Sequence, residues 1–349
     1  VEGGTLDFDL ANVVSGIKES PYLLEGLNPG LHTLCLRAED AVGNETTNVD
    51  FESPVVGVHP NVYWTEGPDM KVAHGRCGGF LYDGGFWVLG GWAAAAILDT
   101  VERYDIEQKT WSSPWTLPEP RDSFGCGAFG PNAFIFGGRF AETDVTDDVK
   151  VIDIATGNPL EIAIHMPEPR ASMGCALLDG KFYLAGGRTY SSPDWVYHRD
   201  AYSFEPIPGP FVGETDMEYD TAMMGFASGE GYLMTCGGYP ERSDVLYHVP
   251  GTKSWQFKTP LSYGREGNVS ILVDGWFYTL GGSAGWMEVS EVDVYNVAED
   301  TWYMINQFPN SRAFPAIASD GSYIYMAGGL HTAGPAYFAL SSFVIGKIF

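Results

Sequence analysis

The chain is short of positive charge. Its 349 residues hold 19 Lys and Arg against 45 Asp and Glu, a formal charge of −26. A polyanion such as DNA would be repelled overall, so no nucleic-acid partner is expected. Long apolar runs are missing as well: none approaches the ~18–20 residues needed to span a bilayer. No charged segment followed by an apolar run opens the chain as a secretory leader would. Helix-period stretches are also lacking, since the apolar segment WAAAAIL (92–98) is too short to form one. Cysteine is sparse and odd in number, five in all, with no Cys-x-x-Cys pair and no His-rich cluster to suggest zinc.

Glycine pairs, by contrast, recur with a period. They stand at Gly90-Gly91, Gly137-Gly138, Gly186-Gly187, Gly237-Gly238, Gly281-Gly282 and Gly328-Gly329, spaced by 47, 49, 51, 44 and 47 residues. Periods of this length indicate a propeller or a solenoid. A short run of aromatic and β-branched residues precedes each pair, such as FWVL (86–89), FYLA (182–185) and WFYTL (276–280), and suits a buried strand. Ahead of four runs lies Asp-Gly (Asp83, Asp179, Asp274, Asp320), the signature of a tight hairpin because its central residues accept positive φ. Sixteen residues before each pair stand His74, Arg121, Arg170, Thr221, Arg265 and Arg312. A third strand follows each pair, such as VERYD (101–105), and then usually a Trp: Trp111, Trp255 or Trp302.

Arg, small-residue strand, Asp-Gly turn, aromatic strand, Gly-Gly, loop, Val-x-x-Tyr-Asp strand and Trp together resemble the kelch repeat over residues 60–349. The resemblance implies an all-β fold, a six-bladed propeller with four strands per blade. Trp64 precedes Gly90 by 26 residues, the same interval that separates Trp302 from Gly328. The segment around Val62–Thr65 is therefore expected to serve as the outer strand of the last blade, leaving no open edge where the ring joins. Cys126 and Cys175, eleven residues before their glycine pairs, are read as small thiols packed near the axis.

Residues 1–55 lack the repeat, and 56–349 carry the propeller. The phrase GLNPGLHTLCLRAEDAVGNET looks like the last two strands of an immunoglobulin- or fibronectin-like module from an extracellular multidomain protein. About 50 residues falls short of the roughly 100 of a full sandwich. The expectation is a partial β-sandwich segment and a longer native chain. Asn44 lies in a sequon within a turn and is a glycosylation candidate, while Asn268 lies in a sequon inside an innermost strand.

The loops after the glycine pairs differ most among the repeats, and variable loops on a rigid scaffold carry function. Peptide-binding kelch proteins use the slot directly after Gly-Gly and the slot fourteen residues before it. The resemblance thus implies a rim of Arg76, Trp92, Arg139, Arg188, Tyr239 and Trp286. Arg forks suit carboxylates or sulfates, and aromatic faces suit sugars or peptide side chains. The competing reading pairs these arginines with local acids such as Glu142, Asp144, Asp147 and Asp148. No cofactor is expected. The acidic loop Glu142–Asp148 offers oxygen ligands for calcium but lacks the spacing of a calcium loop.

Kelch-like propellers include secreted enzymes, among them copper radical oxidases and a sialic-acid epimerase. Of seven His, only His74 and His331 fall near this rim, which disfavours copper. The leading expectation is a non-catalytic, protein- or acidic-glycan-binding module of an extracellular or cell-surface assembly. A carbohydrate-active enzyme with its site over the channel mouth is the alternative.

Overall fold

The computed structural model describes residues 56–206, 209–333 and 336–348, with the short strand segments 30–32, 38–39 and 45–46. The chain divides into two units, Val1–Pro60 with Phe349 and Asn61–Ile348. In the first, Gly30–His32 pairs antiparallel with Val56–Val58, and Ala38–Glu39 with Glu45–Thr46. Asn44 and most of the sandwich-like phrase lie outside the described residues.

The second unit is a six-bladed β-propeller, and its described residues contain no helix. Each blade is a four-stranded antiparallel sheet. Blade one runs from Gly78–Tyr82 at the axis through Gly85–Leu89 and Val101–Asp105 to Thr110–Ser112 outside. The innermost strands of the other blades are Gly125–Phe129, Gly174–Leu178, Gly225–Gly229, Val269–Val273 and Ala316–Ser319. In blade six Val62–Glu66 lies outermost, antiparallel to Phe343–Ile348, with Gly346 opposite Trp64.

Local sequence explains the turns. Asp83 and Gly84 have φ of 45° and 64° between paired Tyr82 and Gly85, the two-residue turn that a right-twisted hairpin favours. Asp179-Gly180 and Asp274-Gly275 repeat it. Blade six differs. Its strands end at Ser319 and resume at Tyr323, and Asp320 Oδ1 instead accepts the Ser322 and Tyr323 N–H groups at 2.9 and 2.7 Å. There the aspartate side chain organises a longer loop, with only Gly321 at positive φ.

Six apolar clusters form the core, one at each seam between neighbouring blades. The seam between blades six and one holds Phe86, Tyr104, Tyr325 and Phe343, and the Tyr104 and Phe343 ring centroids are 4.6 Å apart. A buried Phe of this kind stabilises by about 1.5–3 kcal/mol. Tryptophans fasten the outer strands. Trp111, Trp255 and Trp302 donate their indole N–H to Pro68, Thr215 and Thr259 carbonyls at 2.7–2.9 Å. Trp64 donates in the same way to the Asn306 carbonyl at 3.1 Å. In every case the acceptor lies just beyond the outer strand of the preceding blade.

Candidate functional site at the mouth of the channel

The mouth on the Gly-Gly side is built from two circles of backbone hydrogen bonds. The residues fourteen before each glycine pair all have positive φ: Arg76 (55°), Ser123 (56°), Ser172 (56°), Met223 (62°), Gly267 (66°) and Phe314 (56°). Five of the six are not glycine, so the closed arrangement imposes a conformation that side chains resist. Each N–H donates to the carbonyl of its counterpart one blade back. Ser123 donates to Arg76, Ser172 to Ser123, Met223 to Ser172, Gly267 to Met223, Phe314 to Gly267 and Arg76 to Phe314, at 2.7–3.1 Å. These bonds form an unbroken collar, and they satisfy polar groups that would otherwise face a narrow channel.

The second circle explains the glycine pairs. The second Gly of each pair donates to the carbonyl of the next blade's register residue: Gly91 to Arg121, Gly138 to Arg170, Gly187 to Thr221, Gly238 to Arg265, Gly282 to Arg312 and Gly329 to His74. At Gly138, with φ 92°, a Cβ would come within 2.6 Å of the Asp122 carbonyl oxygen, so both conformation and space demand glycine. The register side chains brace their own blades. Arg121 Nη1 donates to the Gly137 carbonyl at 3.0 Å and Nη2 to Asp148 at 2.9 Å; Arg170 does the same with Gly186 and Asp200. Arg265 pairs with Asp293, and Arg312 bonds the Gly328 and Ser342 carbonyls. In blade one His74 replaces the Arg, bonding the Gly90 carbonyl and Glu102. In blade four Thr221 holds the slot and Arg242 reaches Asp244.

Directly after each pair, one residue bridges to the segment seventeen residues upstream: Trp92 to Gly75, Arg139 to Asp122, Arg188 to Ala171, Tyr239 to Ala222, Ser283 to Glu266 and Leu330 to Ala313. The bridge at Arg139 places Asp122 beside it. Both are buried, and their two-pronged ion pair measures 2.8 and 2.6 Å. None of the loop acids supplies that partner. Glu142 offers Arg139 only its carbonyl, Asp148 serves Arg121 and Lys150, and Asp147 meets His165.

Arg188 is 9% exposed and lies 4.0 Å over the Trp195 ring. Its Nε is enclosed and donates to no partner. Burial depresses its pKa, and Arg139 and Arg76 depress it further. Arg76 is depressed likewise, by burial and then by Arg139. The three guanidiniums of blades one, two and three therefore converge closely enough to repel one another. Blade five adds Glu266, whose carboxyl is pushed above its ordinary value by burial and by Glu241, against the pull of Arg188 and Arg76. Its Oε2 is enclosed without a partner. Tyr197 stacks on Tyr239 with centroids 5.1 Å apart, completing an aromatic wall.

The expected rim residues do not all share this cluster. Arg76, Arg139 and Arg188 meet there, and Tyr239 stands beside them. Trp92 is half-buried at the base of the hairpin formed by Trp92–Ala93 and Ala96–Ile97. Trp286, 77% exposed, tips the hairpin formed by Ser283–Ala284 and Met287–Glu288. Asp122, Tyr197 and Glu266 were not expected. Their signal is positional: Asp122 and Glu266 each directly follow a register Arg. Among the described residues no group of three or more His, Cys, Asp or Glu is arranged to hold a metal ion. Asn268 is 3% exposed and donates to Thr279 Oγ1 at 2.8 Å, an environment without room for a glycan.

The repeat geometry and the blade count define the class, a six-bladed propeller carrying the kelch motif. The family model "Kelch motif" matches residues 75–114. Over 134 residues the chain is 22% identical to Kelch-like protein 35 of Mus musculus, covering 38% of this chain and 22% of that protein. Over 259 residues it is 23% identical to Alpha-scruin of Limulus polyphemus, covering 70% of this chain and 23% of that protein. The chain thus spans less than a quarter of the length of these two relatives. A solved structure titled "Structure of YjhT" matches 81% of this chain and 99% of its own, with a TM-score of 0.69 at 16% identity, a likeness of fold.

Proposed function

We propose that this propeller is a non-catalytic binding module of an extracellular or cell-surface assembly, and that its Gly-Gly mouth holds an anionic group of a partner, an acidic protein segment or an acidic glycan. The observation that carries this reading is the charge balance at the mouth. Three arginines converge in a chain of net charge −26, one carboxylate, Asp122, is hydrogen-bonded to one of them, Arg139, and the buried Arg188 Nε donates to nothing. A guanidinium N–H enclosed without an acceptor favours a ligand that brings one. Kelch relatives named as a Kelch-like protein and a scruin agree with a protein-interaction or structural role. In this proposal residues 1–55 are an immunoglobulin- or fibronectin-like segment, with Asn44 as its glycosylation site.

The test is a glycan and acidic-peptide array probed with the whole chain and with an Arg76→Ala/Arg188→Ala variant. Arg139 is left in place because its loss would strand the buried Asp122. Selective binding that disappears in the variant, with an unchanged unfolding midpoint, is the expected result. Binding that survives the double substitution would place the site elsewhere.

One observation favours the second reading, a carbohydrate-active enzyme. Glu266 is a half-buried carboxyl with a raised pKa beside arginines, as a general acid requires. Turnover of an acidic sugar that Glu266→Gln abolishes would replace the binding-module reading.

A further inference from the structure

Two unpartnered groups of opposite character face the same mouth. Arg188 Nε is an enclosed donor without an acceptor, and Glu266 Oε2 is an enclosed acceptor without a donor. The Glu266 main chain is fixed at the mouth. Its N–H donates to the Ser283 carbonyl at 3.0 Å, its own carbonyl accepts from Ser283 N–H at 2.7 Å, and the next residue is collar Gly267. The titratable and charged groups that face it are Glu241 of the blade-four loop, Arg188 of blade three and Arg76 of blade one. Tyr197 of blade three feels its charge, and Tyr337 of blade six reaches Arg76.

We infer that Glu266 is the specificity-determining residue of this mouth: an anionic group is accepted when it carries a hydrogen-bond donor beside its charge, or when a proton occupies Glu266. The inference rests on the anion-binding reading above. A fully ionised group without a donor would set its negative oxygen against an ionised Glu266, and like charges at short range disfavour each other. A hydroxyl next to the anionic centre instead satisfies Oε2 while the arginines take the charge. A proton on Glu266 has the same effect, because the carboxyl then donates. Burial and Glu241 raise its pKa, so the proton is held at a higher pH than on an ordinary Glu. Binding of a donorless anion therefore strengthens as pH falls through the Glu266 pKa and is accompanied by proton uptake.

The test uses two probes of equal charge that stay ionised from pH 5 to 8, ethanesulfonate without a donor and 2-hydroxyethanesulfonate with one. Both are titrated into the whole chain by NMR. At pH 8 the hydroxylated probe is expected to bind about tenfold more tightly, the equivalent of about 1.4 kcal/mol. At pH 5 the difference shrinks because ethanesulfonate gains. Glu266→Gln, whose amide is a permanent donor, is expected to bind ethanesulfonate equally at both pH values. Glu241→Gln keeps the discrimination at pH 8 and moves the gain of ethanesulfonate to lower pH, because Glu241 helps raise the Glu266 pKa. Equal, pH-independent binding of both probes by the wild type would overturn the role of Glu266 and leave the anion site standing. The same holds if Glu241→Gln, and not Glu266→Gln, abolishes the pH dependence. Absence of binding by wild type at pH 5 and by Glu266→Gln, or binding unaffected by Arg188→Ala, would remove the anion site and this inference together. The comparison of probes on the wild type needs no variant to fold.

Discussion

Arg121, Arg170, Arg265 and Arg312 are among the least exposed residues in the chain, none above 3%. A buried guanidinium is costly unless it is paired and hydrogen-bonded, and each of these donates to a glycine carbonyl of its own blade, while Arg265 Nε is left without a partner. Arg170 shows the consequence most clearly. Burial pushes Asp200 upward, but the hydrogen bond and charge of Arg170, with Tyr202, outweigh it and leave its carboxyl below the usual range. A depressed carboxylate contributes stability that is present above its unfolded pKa and lost as pH falls through the folded value. Arg170→Ala is expected to destabilise by about 3 kcal/mol or more at neutral pH. The gap to wild type should narrow as pH drops below the ordinary Asp range. Urea unfolding at pH 7 and pH 3 measures both, and a gap independent of pH would detach Asp200 from the effect.

Among elements, the strand Val62–Glu66 is informative because it lies far in sequence from its partner Phe343–Ile348. Its two faces differ sharply: Val62 is fully buried in the seam with blade five, whereas Tyr63 is 58% exposed. Val62→Asp is expected to cost about 3 kcal/mol or more, since an unpaired carboxylate would replace a core methyl cluster. Tyr63→Asp should stay within about 0.5 kcal/mol. Paired thermal melts decide the matter, and equal losses at the two positions would mean that this strand does not present one face to the core. The tryptophans act at the same scale. Blades two and three lack one at the shared position. Trp302→Phe keeps an aromatic ring but removes the pyrrole part of the indole and with it the donor to Thr259, so a loss of about 1 kcal/mol or more is expected in chemical denaturation.

Across the whole molecule, the collar narrows one mouth and small strands line the axis. The axial cavity, about 210 Å³, is bordered by Cys77, Cys126, Cys175, Asn268 and Ser270. Burial pushes the Cys77 and Cys126 thiols up to about 12, and Cys175 also well above its usual value. The thiolate is the reactive form. Iodoacetamide at pH 8 should therefore leave Cys126 unmodified in the folded chain and label it once denaturant opens the ring, as peptide mass spectrometry would show. Labelling of the folded protein would indicate an axis that breathes.

Spacing along the chain determined the number of blades, the position of each hairpin and the shared slots, because those follow from local turn chemistry and from a repeat that any single blade must obey. The resemblance to the kelch repeat added Arg76, Arg139 and Arg188 as residues of one rim. Tertiary structure alone decided what each arginine does. Arg139 is neutralised by Asp122 through a bridge between segments seventeen residues apart, while Arg188 keeps a free donor. Glu266 reads in sequence as one acid among 45. Only closure of the ring brings it, from blade five, to the arginines of blades one and three. Electrostatic character depends on distances across the mouth, and those exist only after six separate segments have been hydrogen-bonded into a circle.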